Sequence, residues 1–154
     1  MSDLLTGAVT VVIDAPPEDV FALVTDLERM GEWSPESGDV RWLDGATEAG
    51  LGARFAGDNE VMLGPIPLKR WTTDSEITAF EPSTVFAFES AGYTTWTFEF
   101  EAVDGGTRLT ESFAFPPYTG IDRLTRGLLG ARPALIRKGV ERTLANIKAA
   151  AERS

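Results

Sequence analysis

The chain has 154 residues, 43% of them hydrophobic and 10% aromatic, which suffices for one domain burying about two-thirds of its unfolded surface with no covalent or metal staple. Its formal net charge of −10 disfavours nucleic-acid backbones and anionic membranes, whose charge has the same sign. With neither cysteine nor histidine, it lacks thiolate chemistry, Ser-His and Cys-His nucleophile pairs and the usual ligands of zinc, iron and copper.

No metal or cofactor is therefore expected, and any catalysis has to use carboxylates, tyrosines, hydroxyls or bound water. The opening MSDLLTGAVTVVID is acidic where a secretory leader is basic, and no stretch approaches the ~20 apolar residues of a membrane span. A cytoplasmic protein without membrane insertion is expected, with residues 1–154 forming a single domain.

Gly7 to Asp14 predicts a first strand with Val9, Val11 and Ile13 on one face. Ala15-Pro16-Pro17-Glu18-Asp19 then reads as a helix start, because proline suits the first turn and acids suit the positive end of the helix dipole. Val20, Phe21, Val24 and Leu27 continue it at helical spacing. Asp26 is placed to cap a second short helix through Leu27–Met30, which Trp33-Ser34-Pro35 ends, since a residue before proline is pushed out of the helical region.

Strands are expected over Val40–Leu43, Ala53–Asn59, Lys69–Phe80, Thr84–Glu89, Tyr93–Val103 and Gly106–Phe115, joined by Gly, Pro and Asp clusters into an antiparallel meander. After Pro116-Pro117 the period changes to 3.6, and Ile136, Val140, Leu144, Ile147 and Ala151 form one stripe of a terminal helix. Gly130 and Pro133 mark a break in front of it, with Ile121–Leu129 as a separate helical turn.

Asp104-Gly105 is a favoured two-residue hairpin turn, and it fixes a register. Phe100 then faces Leu109, Phe98 faces Glu111 and Trp96 faces Phe113. On the reverse face Glu101 meets Arg108, Glu99 meets Thr110 and Thr97 meets Ser112. For the preceding hairpin, a loop of Ser90-Ala91-Gly92 with Gly92 in the left-handed conformation places Phe86 opposite Trp96 and Phe88 opposite Thr94.

One sheet face thus carries Phe86, Phe88, Trp96, Phe98, Phe100, Leu109 and Phe113, joined by Thr73, Ser75 and Ile77. Glu111 stands in that row where alternation calls for an apolar side chain. Glu111, Asn59, Thr73 and Ser75 favour a cavity over a dry core, where each unpaired polar group costs roughly 1–3 kcal/mol and a carboxylate more. The alternative is that each finds a partner inside the protein.

The sequence Asp26…Trp33-Ser34-Pro35-Glu36, Trp42, Gly52-Ala53-Arg54-Phe55…Gly57…Asn59, Trp71, Glu81-Pro82, Phe86-Ala87-Phe88, Trp96 and Gly106-Thr107 resembles the START-like, polyketide cyclase/dehydrase group of the SRPBCC superfamily. The likeness runs from Val9 through the helix at Glu141–Glu152. It implies an α+β helix-grip fold, with a seven-stranded antiparallel β-sheet wrapped around a long C-terminal α-helix and two short helices between strands 1 and 2. It also implies an apolar cavity between sheet and helix for a lipid, sterol, polyketide or plant hormone. Family enzymes share no single catalytic motif, so no catalytic residue carries over.

The resemblance places Trp33 near the cavity mouth, while its position also suits a staple holding the short helices on the sheet. Trp71 and Trp96 read as cavity wall or as core. Asn59 reads as a ligand contact or as an amide satisfying backbone at a bulge near Gly57. Met62–Leu68, and Tyr118 with Leu124, Leu128 and Leu129, read as a lid or as loops packed on each other.

Three functions are open. The first is binding or carriage of a small hydrophobic molecule whose polar head Glu111 orients. The second is a cyclase or dehydrase, with Glu111 the best candidate for a general acid or base. The third is a protein-interaction module, which predicts a filled core and an exposed apolar patch. The sequence leaves oligomeric state open.

Overall fold

A computed structural model of the chain describes residues 5–33, 37–63, 65–92, 94–115 and 133–153; side chains of 5, 37–39, 59–63, 67–71 and 133–135 lie outside the description. Strand β1 (Leu5–Ile13) leads into helix α1 (Pro17–Thr25). Pro16 is extended at the N-cap, Pro17 opens the helix, and Glu18 and Asp19 occupy its first turn, as dipole and proline geometry dictate. The buried side of α1 is Val20, Phe21 and Val24.

A 3-10 helix follows over Leu27–Glu32. Asp26 stands at its N-cap position, yet its side chain makes no capping bond, contrary to the sequence reading. The turn is held by backbone instead: Asp26 N–H donates to Leu23 O at 3.4 Å, and Arg29 N–H donates to Asp26 O at 3.0 Å.

Strands β2 (Ser37–Leu43), β3 (Arg54–Leu63), β4 (Ile66–Glu81), β5 (Val85–Ser90), β6 (Thr94–Val103) and β7 (Gly106–Phe115) follow, then helix α2 (Pro133–Glu152). The seven strands make one antiparallel sheet in the order β1-β7-β6-β5-β4-β3-β2. Extra residues in β2 between Ser37 and Val40, opposite Gly57 and Asn59, and in β4 between Ile77 and Ala79, disturb the ladder; such bulges bend a sheet. Together with α2 this is the helix-grip fold.

The β6–β7 ladder has the expected register, with Val103 opposite Gly106, Phe100 opposite Leu109, Phe98 opposite Glu111 and Trp96 opposite Phe113. The β5–β6 hairpin departs from expectation. Phe86 pairs with Phe98 and Phe88 with Trp96, two residues further along β6 than the Ser90-Ala91-Gly92 loop would give.

Ser90 stays in the ladder opposite Thr94 because its hydroxyl bonds that of Ser75 at 2.9 Å, and the positive φ falls on Ala91 (57°) as well as Gly92 (77°). Each partner shifts by two residues, so the inward and outward faces are unchanged.

Helix α2 buries Val140, Leu144, Ile147 and Ala151 in the same core cluster as Phe98, Leu109 and Phe113, with Ile136 partly buried. Its C-terminal end is clasped to β1: Lys148 Nζ donates to Val12 O at 2.7 Å, and Glu152 Oε2 accepts from Asp14 N–H at 2.9 Å and from Lys148 at 2.7 Å. The expected turn over 121–129, the Gly130 break and the segment around Tyr118 lie outside the described residues.

Candidate functional site

Period-two alternation gives every strand an inward row facing α2. In β1 that row is Gly7, Val9, Val11 and Ile13; in β7 it is Leu109, Glu111, Phe113 and Phe115; in β6 it is Trp96, Phe98 and Phe100. Glu111 therefore stands between Val9 and Phe98, with Leu109 and Phe113 two residues to either side. Only 5% of its surface is exposed, and its Oε1 is buried with no hydrogen-bond partner among the described residues. Burial pushes its carboxyl up to about 8, with no cation or donor among the described residues stabilising the charged form.

The concave face is filled unevenly. At the Phe100 end, Phe21 of α1 packs edge-on against Phe100 (5.1 Å) and Phe80 (5.2 Å), while Phe86 stacks near Phe98 at 6.0 Å. At the other end Trp96, 5.9 Å from Phe113, and Thr73 are only half-buried. Along β6, the last inward ring before the strand's half-covered end is that of Trp96, opposite Phe113 and one inward position from Phe98. On β7 the row stays covered past Glu111, with Phe113 and Phe115 buried.

The other sequence candidates divide as follows. Phe86, Phe88, Phe98, Phe100 and Phe113 are buried on the same face as Glu111. Ser75 is buried with its hydroxyl paired to Ser90, which satisfies it internally. Asn59 and Trp71 are cross-strand partners in β3 and β4, and their side chains lie outside the description.

Trp33 is 3% exposed at the end of the 3-10 helix. Its carbonyl accepts from Asn146 Nδ2 at 2.8 Å, and the Arg29 guanidinium sits 5.3 Å from its ring centre. That joins the short helices to α2, as a staple does.

Sequence reasoning missed Phe55 and Trp42 as members of the face. Phe55 lies 5.3 Å from Phe88 and 6.1 Å from Trp42, extending the aromatic row to β2. Alternation of Trp42 with Val40, and of Phe55 with Gly57, carried that signal. A groove of about 400 Å³ runs along the outward residues Thr6, Ala8, Thr95, Thr97, Ser112 and Ala114, with Gly7 and Phe113 of the inward row also lining it. Most of its lining faces away from Glu111.

Among the described residues no group of three or more acids could hold a metal ion, and no helix is long and apolar enough to cross a membrane.

An antiparallel sheet closed by one long helix over a polar-spiked aromatic face defines a class of proteins, and the sequence places the chain within one family of it. The profile of the family described as "Polyketide cyclase / dehydrase and lipid transport" matches residues 6–152, so the chain belongs to that family. No curated protein matches it in sequence.

Among solved structures, a Polyketide_cyc-like protein of Corynebacterium glutamicum is 33% identical, with a TM-score of 0.54 over 99% of this chain and 88% of that one. The Zhui aromatase/cyclase of a Streptomyces species shares the fold at 20% identity, with a TM-score of 0.69 over 98% of this chain and 95% of its own. The di-domain ARO/CYC StfQ of the steffimycin biosynthetic pathway does so at 17% identity and TM-score 0.74, over 97% of this chain and 51% of its own.

Proposed function

We propose that the chain binds and carries a small hydrophobic molecule, of lipid, sterol or polyketide type, between the concave sheet face and helix α2, with Glu111 meeting its polar head. The observation that carries this reading is the Oε1 of Glu111, without a partner among the described residues, in a row of aromatic and aliphatic side chains. A buried polar atom without a partner costs stability, and a ligand group that completes its hydrogen bonding removes that cost. Aromatic walls with one or two convergent polar groups are the usual make-up of a small-molecule site. The half-buried Trp96 and Thr73 mark a less covered part of that face.

A second reading, catalysis of cyclisation or dehydration, is favoured by the same acid. A carboxyl poised near neutrality can give and take a proton at one position, and structural neighbours include aromatase/cyclases.

Native mass spectrometry of protein purified from cells tests the proposal. A co-purified mass that Glu111→Leu loses, while that variant stays folded and gains stability, supports it. A ligand-free protein whose tryptophan emission ignores fatty acids, sterols and aromatic polyketides overturns it. A recovered ligand that loses water, or changes chromatographic retention at constant mass, on incubation with wild type but not with Glu111→Leu selects the catalytic reading.

A further inference from the structure

We infer that Glu111 meets its ligand as a neutral carboxylic acid, so that the site takes molecules presenting an uncharged oxygen acceptor (a ketone, ester or hydroxyl) and discriminates against amines. This rests on the ligand-binding reading above and specifies the head group it accepts.

The first ground is what faces the carboxyl. From β1 come Gly7, Val9 and Val11; from β6, Trp96, Phe98 and Phe100; from β7 itself, Leu109 and Phe113. Helix α2 contributes Val140, Leu144 and Ile147 to this core, and α1 contributes Phe21. None is charged or titratable.

The charged groups of these elements are engaged or exposed elsewhere. Arg108 points outward and pairs with Glu101 at 2.9 Å. Lys148 is held at Val12 and Glu152. Arg137, Lys138, Glu141 and Arg142 lie on the exposed side of α2. Among the described residues there is no cation to compensate an ionised Glu111, and its ordinary ionisation is suppressed by burial alone.

The second ground is a count of donors and acceptors. A ligand ammonium brings three N–H donors and a charge; the carboxylate could answer one or two donors, and the aliphatic and phenyl groups around it answer none. The remaining donors would be buried unpaired beside a desolvated ion pair, a costly arrangement. A carbonyl or ether oxygen asks for one donor, and a protonated carboxyl supplies one. Supply and demand therefore match for a neutral acceptor and fail for a cation.

Two probes with the same tail test this: dodecyl methyl ketone and dodecylamine, with dodecane as the headless control, followed by tryptophan emission and native mass spectrometry. The ketone should bind more tightly than the amine at about pH 6.5, and its affinity should fall by up to about 30-fold at about pH 9.5 as the competent, protonated fraction shrinks. Glu111→Gln, whose amide donates at every pH, should bind the ketone without that fall.

Amine binding tighter than ketone binding at the lower pH overturns the inference and leaves the apolar-ligand reading standing. So does a ketone affinity that is flat across pH in folded wild type. Absence of binding by all three probes at both pH values overturns the ligand-binding reading itself.

Discussion

The ring of Phe113 lies over Gly7, in the space that a side chain at Gly7 would fill. The two are partners in the β1–β7 ladder, and a Cβ built on Gly7 collides with Phe113 Cζ and comes within 2.8 Å of Cε1. Phe113 in turn stacks near Phe115 at 6.1 Å and touches the Trp96 ring at 5.9 Å. The missing side chain is thus what lets an aromatic ring lie flat beside Glu111.

Gly7→Ala is therefore expected to destabilise, by about 1–3 kcal/mol from overpacking, even though alanine is ordinarily the better strand residue. Urea denaturation checks the sign, and a shift in Trp96 emission should accompany it because the displaced ring is its neighbour. An Ala variant as stable as wild type would mean that the ring moves aside at no cost.

Glu111 makes stability depend on pH in a direction opposite to that of a salt-bridged acid. Its folded pKa, about 8, exceeds the ordinary 4.5, so between these values the folded state holds more protons than the unfolded one. Stability then falls as pH rises across that window, by roughly 5 kcal/mol in total at the linkage rate of 1.36 kcal/mol per unit. Below the window the group is protonated in both states and contributes no slope.

Chemical denaturation at a series of pH values from about 5 to 8 should show wild type weakening relative to Glu111→Gln, which has no proton to lose there. Parallel curves for the two proteins would place the carboxyl in contact with water.

Much of the inward face was legible because two rules act locally and agree. The Asp104-Gly105 turn sets the β6–β7 register, and alternation then assigns Phe98, Phe100, Leu109, Glu111 and Phe113 to one side, as the ladder has them. The α2 stripe was legible for the same reason, its 3.6 period being uninterrupted from Ile136 to Ala151.

The Ser90 hairpin was not legible, because its register is decided by a bond to Ser75 on a third strand, and no local rule sees a partner 15 residues away. Capping by Asp26 failed for a related reason: with α1 ending on that residue, backbone bonds on both sides already hold the turn. For Glu111 the sequence supplied the anomaly. Its lack of a partner needed the positions of the strands on both sides.

Thr107 joins the first strand, the first helix and the last hairpin at one buried point. It is fully buried at the β1–β7 ladder, opposite Ile13, and its Oγ1 donates to Ala15 O at 2.7 Å, just before Pro16 caps α1. The neighbouring Gly106 passes so close under the Ile13 carbonyl that a side chain there would strike it.

Thr107→Val keeps the shape but leaves the Ala15 carbonyl without its donor, and a cost of about 1–3 kcal/mol is expected. Because that carbonyl anchors the start of α1, and Phe21 of α1 closes the Phe100 end of the concave face, the amides of α1 should lose more hydrogen-exchange protection than those of β3 and β4. Thr110→Val is the matching control: its hydroxyl bonds that of Thr10 at 2.8 Å on the exposed face, and its loss should change stability by no more than about 0.5 kcal/mol. Equal effects from the two valines would remove the junction's special role and leave α1 held by its apolar side alone.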